Sequence, residues 1–154
     1  MQESINDKER LASEYPEILV ISADISLTRF LTEGLGQSGF WVSAVRSGLQ
    51  ALEVFRLRSF DAIVLDAAIA DLALNELIAR LHDPVAIDGI GRLSLETPVV
   101  LVAGMPSELD DYDLTGLSIA KILVAPFDLE ELASELHART SSHSNLKTRN
   151  HSGQ

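Results

Sequence analysis

The sequence predicts an α/β domain, a parallel sheet with helices on both faces, and three observations carry that prediction. Five short apolar runs alternate with segments whose apolar residues recur at helical spacing. The runs are rich in β-branched residues and some are apolar throughout, as strands covered on both faces must be. At 154 residues and 46% apolar, the chain suits a single core.

Glu17 to Ile21 is the first run, preceded by Pro16 and too short for a helix. From Ile25 the period changes, with Leu27, Phe30, Leu31 and Leu35 predicted on one helical face that ends at Gly36 and Gly39. Trp41 to Val45 is the second strand, where Trp41 reads as an edge or packing residue. Ser47 offers an N-cap with Gln50 three residues on, and Leu49, Leu52 and Phe55 continue the helix to about Arg58. Ala62 to Leu65 is the third strand and stops at Asp66. Leu74, Leu77, Ile78 and Leu81 make the next helical face. Pro98 to Val102 is the fourth strand, and a weaker helix is expected after Pro106 and Ser107. Ile119 to Val124 is the fifth, followed by the capping pair Asp128 and Glu131 ahead of Leu129, Leu132, Ala133 and Leu136. The domain is expected over 16–139, with an N-terminal extension at 1–15, a long connection at 83–97, and a disordered tail at 140–154 that has one leucine in fifteen residues.

Twenty-three Asp and Glu against twelve Lys and Arg leave a net charge of −11, so nucleic acids and anionic membrane surfaces would be repelled. Absence of cysteine excludes disulfides, zinc ribbons and thiol catalysis. Neither a signal core nor a run of about 20 apolar residues occurs, so a soluble, cytoplasmic protein is expected. His82, His137, His143 and His151 lack metal-ligand spacing and read as surface residues.

In an open parallel sheet, chemistry sits at the carboxyl ends of the strands. Those ends carry Ile18-Leu-Val-Ile-Ser-Ala-Asp-Ile-Ser-Leu-Thr-Arg29, Phe60-Asp-Ala-Ile-Val-Leu-Asp66 and Ala125-Pro-Phe-Asp-Leu-Glu-Glu-Leu132. In order, spacing and placement this resembles the receiver domain of bacterial two-component response regulators, from about Glu17 to Arg139 with one extra stretch before the fourth strand. The resemblance implies a flavodoxin-like (βα)5 sandwich of strand order 2-1-3-4-5. It also implies a phosphoacceptor aspartate ending the third strand, which falls on Asp66. The family's Mg²⁺-binding acidic pair falls on Ser22 and Ala23, its hydroxyl residue on Ala103 and its lysine on Ala125. The Pro and Gly usual after the acceptor fall on Ala70 and Leu74, and the aromatic switch residue on Ile122.

Those departures weigh on the chemistry. Phosphoryl transfer to a carboxylate joins two anions and relies on cations to neutralise them. Two unit charges about 4 Å apart at an effective dielectric of about 20 repel by about 4 kcal/mol. That is on the order of a thousandfold in rate if nothing replaces the cations. Asp24 and Asp71 could join Asp66 in an acidic pocket around a hard cation, but each precedes a helical stretch and reads better as a cap. Lys121 lies four residues before Ala125 and is no substitute for the lysine. Glu108, Asp110, Asp111 and Asp113 beside Tyr112 form an acidic segment, either a docking surface for a basic partner or a solvated helix start.

The sequence therefore reads as a stand-alone degenerate receiver, not an enzyme, acting by protein contact without Mg²⁺ or another cofactor and with no DNA-binding output of its own. Expected partners are a histidine kinase, another regulator or a downstream effector, with a homodimer as a further option. The alternatives are a receiver phosphorylated on Asp66 and a small flavodoxin-like enzyme or cofactor carrier. Against the last, Ser22-Ala-Asp-Ile-Ser26 holds no glycine to cradle a phosphate, and no Gly-x-Ser-x-Gly elbow occurs.

Overall fold

A computed structural model of the chain describes residues 15–82 and 97–152, with side chains as far as 140. Strands β1 (Glu17–Ile21), β2 (Trp41–Val45), β3 (Ala62–Asp66), β4 (Val99–Ala103) and β5 (Lys121–Val124) form one parallel sheet in the order β2-β1-β3-β4-β5. The helices are α1 (Ile25–Gln37), α2 (Gly48–Leu57), α3 (Leu74–Leu81) and α4 (Leu129–Ser152). This is the flavodoxin-like order that the resemblance implied.

Alternation along the strands divides the core into two layers. Leu19, Ile21, Ile63, Leu65 and Leu101 pack with Phe55 of α2 and Leu74, Leu77, Ile78 and Leu81 of α3. Ile18, Val20, Val64, Val100 and Val102 face the other way, onto Leu31 and Leu35 of α1 and Leu132 and Leu136 of α4. Full burial of a Leu or Ile side chain contributes about 1.5–3 kcal/mol, so these two layers carry the fold. Ser47 caps α2 as expected, its hydroxyl accepting from the Gln50 amide at 3.1 Å. Gly34 lies where α1 meets α4, and a Cβ there would overlap the Leu129 side chain.

Several expectations are corrected. Phe30 and Leu49 lie outside the buried arcs of their helices, at 47% and 58% exposure, because Leu27, Leu31 and Leu35 turn α1 to the sheet while Ala51 and Phe55 turn α2. The helix expected after Pro106 is a single 3-10 turn, Pro106–Leu109. Beyond it Asp113 Oδ1 accepts from the Thr115 amide at 3.0 Å and Gly116 takes φ +83°, so local turns replace helical hydrogen bonds. Strand β5 starts at Lys121, two residues later than expected, after the Ala120 amide has bonded to the Val99 carbonyl.

His82 is buried and donates from Nε2 to the Thr97 carbonyl at 2.9 Å, which makes it a satisfied interior residue. Trp41 sits at the start of the edge strand β2, half exposed. The α4 backbone remains helical to Ser152, past residue 140 where a disordered tail was expected; no Gly or Pro intervenes before Gly153 to stop it. Residues 1–14 of the expected extension and 83–96 of the long connection lie outside the described residues. Among the described residues no helix is long and apolar enough to cross a membrane.

Candidate functional site

Register brings the ends of β1 and β3 together. Ile18 is level with Ala62 and Val20 with Val64, so Ser22 and Asp66 continue the same row on the same face. Ser22 Oγ donates to Asp66 Oδ2 at 2.7 Å, and the Asp24 amide donates to Ser22 Oγ at 3.0 Å. The Ala68 amide donates to Asp66 Oδ1 at 3.0 Å. Both side chains are nearly sealed, Ser22 at 1% exposure and Asp66 at 6%. Each carboxylate oxygen of Asp66 thus has a protein donor. The main chain of Ser22 is pinned as well, its amide donating to the Val45 carbonyl and its own carbonyl accepting from Thr28 Oγ1.

The positions to which the resemblance assigned a hydroxyl and a lysine, Ala103 and Ala125, carry methyl groups. Asp66 is level with Val102, so Ala103 lies one residue beyond it on β4 and is buried. The Ala125 amide donates to the Ala103 carbonyl at 2.8 Å, and a cis peptide bond follows at Pro126. Lys121 is level with Val100 at the far end of β5, and its ammonium lies 4.0 Å from Glu131 of α4. It does not serve Asp66.

The acidic pocket is corrected, because the structure keeps its three members apart. Asp24 caps α1, its Oδ1 accepting from the Leu27 amide at 3.1 Å. Asp71 reaches back from the loop after β3 to the start of α2, where its two oxygens accept from the Gly48 and Leu49 amides at 2.8 and 2.9 Å. Desolvation pushes the Asp71 carboxyl up, but the amides of Gly48, Leu49 and Asp71 itself outweigh it and leave the group below its ordinary value. Mg²⁺ prefers octahedral oxygen ligands, usually with one or two carboxylates. Ser22 offers a hydroxyl already donating to Asp66 and Ala23 offers no side-chain oxygen, so the residues present do not fit the ion. Among the described residues no group of three or more His, Cys, Asp or Glu could hold a metal.

The acidic segment also changes character. Glu108 Oε1 accepts from the Gly104 amide at 2.8 Å, closing the loop after β4. Tyr112 packs against the core, and Asp113 is held below its ordinary carboxylate value by the Thr115 hydroxyl and amide. Asp110 and Asp111 are exposed, on turns and not on a helix. The Ser22 to Asp66 bond and the Asp71 clamp were missed in the sequence. The first follows from the register of β1 on β3, which brings position 22 level with position 66 and which hydrophobic period alone does not reveal.

No family model matches the chain. Among curated proteins, the transcriptional regulatory protein TcrA of Mycobacterium tuberculosis is 28% identical over 131 residues, covering 79% of this chain and 44% of TcrA. The cell cycle response regulator CtrA of Brucella ovis is 25% identical over 122 residues, covering 79% of this chain and 48% of CtrA. The chain thus spans a little under half the length of these relatives. Among solved structures, a sensor protein from Polaromonas sp. JS666 superposes with TM-score 0.68 at 26% identity, covering 82% of this chain and 97% of that one. A response regulator receiver domain protein from Clostridium thermocellum superposes with TM-score 0.68 at 19% identity, covering 85% and 98%.

Proposed function

We infer that this chain is a response regulator receiver domain, a reading supported by its receiver-like fold, its curated relatives and its structural neighbours. From that premise we propose that the chain works in two-component signalling as a degenerate receiver, through protein contact and without Mg²⁺-dependent phosphorylation. The carrying observation is the closed state of Asp66, whose oxygens are taken by the Ser22 hydroxyl and the Ala68 amide. An incoming phosphoryl group would displace Ser22, and Ala125 brings no ammonium to offset the charge it carries. The methyl groups of Ala103 and Ala125 supply neither a hydroxyl to bind the product nor an ammonium to pair with it. Its partners are proteins of the same signalling class, a histidine kinase, another regulator or an effector.

Incubation with Mg²⁺ and acetyl phosphate, read by intact mass, tests this directly. The expected result is an unmodified chain. An adduct of one phosphoryl group that disappears in Asp66→Ala would show a working phosphoacceptor and overturn the reading.

A further inference from the structure

Acids outnumber bases by 23 to 12 in this chain, so a described cation without a carboxylate partner stands out. Among the described residues Arg56 pairs with Glu53, Arg58 with Glu17, Arg80 with Glu76, Arg139 with Glu135 and Lys121 with Glu131. Arg29 and Arg46 are the two described cations whose side chains pair with no acid, and both line the same cavity.

That cavity lies beside the carboxyl ends of β1 and β2 and has a volume of about 510 Å³. It is an open groove, with Ala23, Ile25, Arg29, Glu33 and Arg46 of its lining exposed. Arg29 projects from α1 and Arg46 follows β2, so the two guanidinium groups come to it from different elements. Thr28 and Thr32 add hydroxyls, and Ala23 and Ile25 add apolar surface. Glu33 also lines it, one turn along α1 from Arg29, but lies within ion-pair distance of neither arginine. The balance of charge in the cavity is one positive, against −11 for the chain.

We propose that this cavity binds a small molecule through a phosphate group held between Arg29 and Arg46. Guanidinium forks match the oxygens of phosphate in geometry and charge, and the unpaired state of both leaves their donors available. The apolar wall takes the remainder of the ligand. The site is separate from Asp66 phosphorylation, since it needs no metal and forms no covalent bond, and it goes beyond the proposed function. Ser22 borders the cavity and hydrogen-bonds Asp66, so an occupant would touch one wall of the Asp66 network.

Pyrophosphate is the probe, titrated into the full chain by calorimetry without Mg²⁺ at fixed ionic strength, with citrate as the carboxylate counterpart. Saturable pyrophosphate binding is expected, weakened about tenfold or more in each of Arg29→Gln and Arg46→Gln. Binding by Arg56→Gln, a surface arginine paired with Glu53, should match the parent. Both test side chains are exposed, and a thermal melt of each variant checks that the fold is retained. Absence of saturable binding, equal binding by the arginine variants, or citrate bound as tightly as pyrophosphate would each overturn the proposal.

Discussion

The Ser22 hydroxyl does for Asp66 what water would do at an exposed carboxylate, at a place where water has almost no access. Removing one partner of a buried hydrogen bond leaves the other with its desolvation cost unrelieved, about 1–3 kcal/mol. Ser22→Ala is therefore expected to lower stability by about that amount in urea unfolding. An unchanged midpoint would mean that Asp66 finds another donor. Asp71 acts differently, because it is exposed and its effect depends on ionisation. A carboxyl held below its unfolded value stabilises the fold above that value and loses the contribution as pH falls through its folded one. Asp71→Asn should cost about 0.5–1 kcal/mol at pH 7, as for a lost helix cap softened by solvent. Unfolding repeated at lower pH should show that difference shrinking below about pH 4. The position of Asp66 was legible because a fully apolar run, Ala62 to Leu65, ends there. Its partner was not, since hydrophobic period says nothing about which hydroxyl turns inward at a strand end.

Among the elements, α3 was plain in the sequence, as Leu74, Leu77, Ile78 and Leu81 are all buried. The segment after β4 was not, because Pro106 and Ser107 are a good helix start whether or not a helix follows. What halts it is the Asx turn at Asp113 and the left-handed Gly116, both local choices that compete with a longer helix. Helix α1 shows how two glycines in one element differ. Gly34 faces Leu129 at close range, whereas Gly36 has nothing within 4 Å of where a Cβ would be. Gly34→Ala is expected to destabilise by about 1–3 kcal/mol through overpacking. Gly36→Ala should instead stabilise by up to about 1 kcal/mol through helix propensity. Thermal melts of the pair read the contrast, and equal shifts would contradict the close approach of α1 and α4.

At the scale of the whole molecule, the layered architecture was legible from alternation alone, since β1, β3 and β4 are apolar almost throughout and their residues are divided between two helical layers. Strand order was not, because parallel strands joined by helices can be laid out in several ways; only the resemblance supplied it. Net charge was legible as a sum but not as a map. Most described cations are paired on the surface, where each pair contributes little. The two that are not paired are brought to one cavity from α1 and from the end of β2, elements whose adjacency only the fold reveals.

Trp41 has a practical consequence of a different kind. The chain contains one tryptophan, and it stands half exposed at the amino end of β2, edge to face with Tyr15 at 6.4 Å between ring centroids. Asp66 lies at the carboxyl end of the sheet, the opposite end from this ring. Ultraviolet emission from this protein thus has a single indole source, seated where the edge strand joins the sheet and remote from the carboxylate. It provides a built-in optical gauge of whether that edge stays docked.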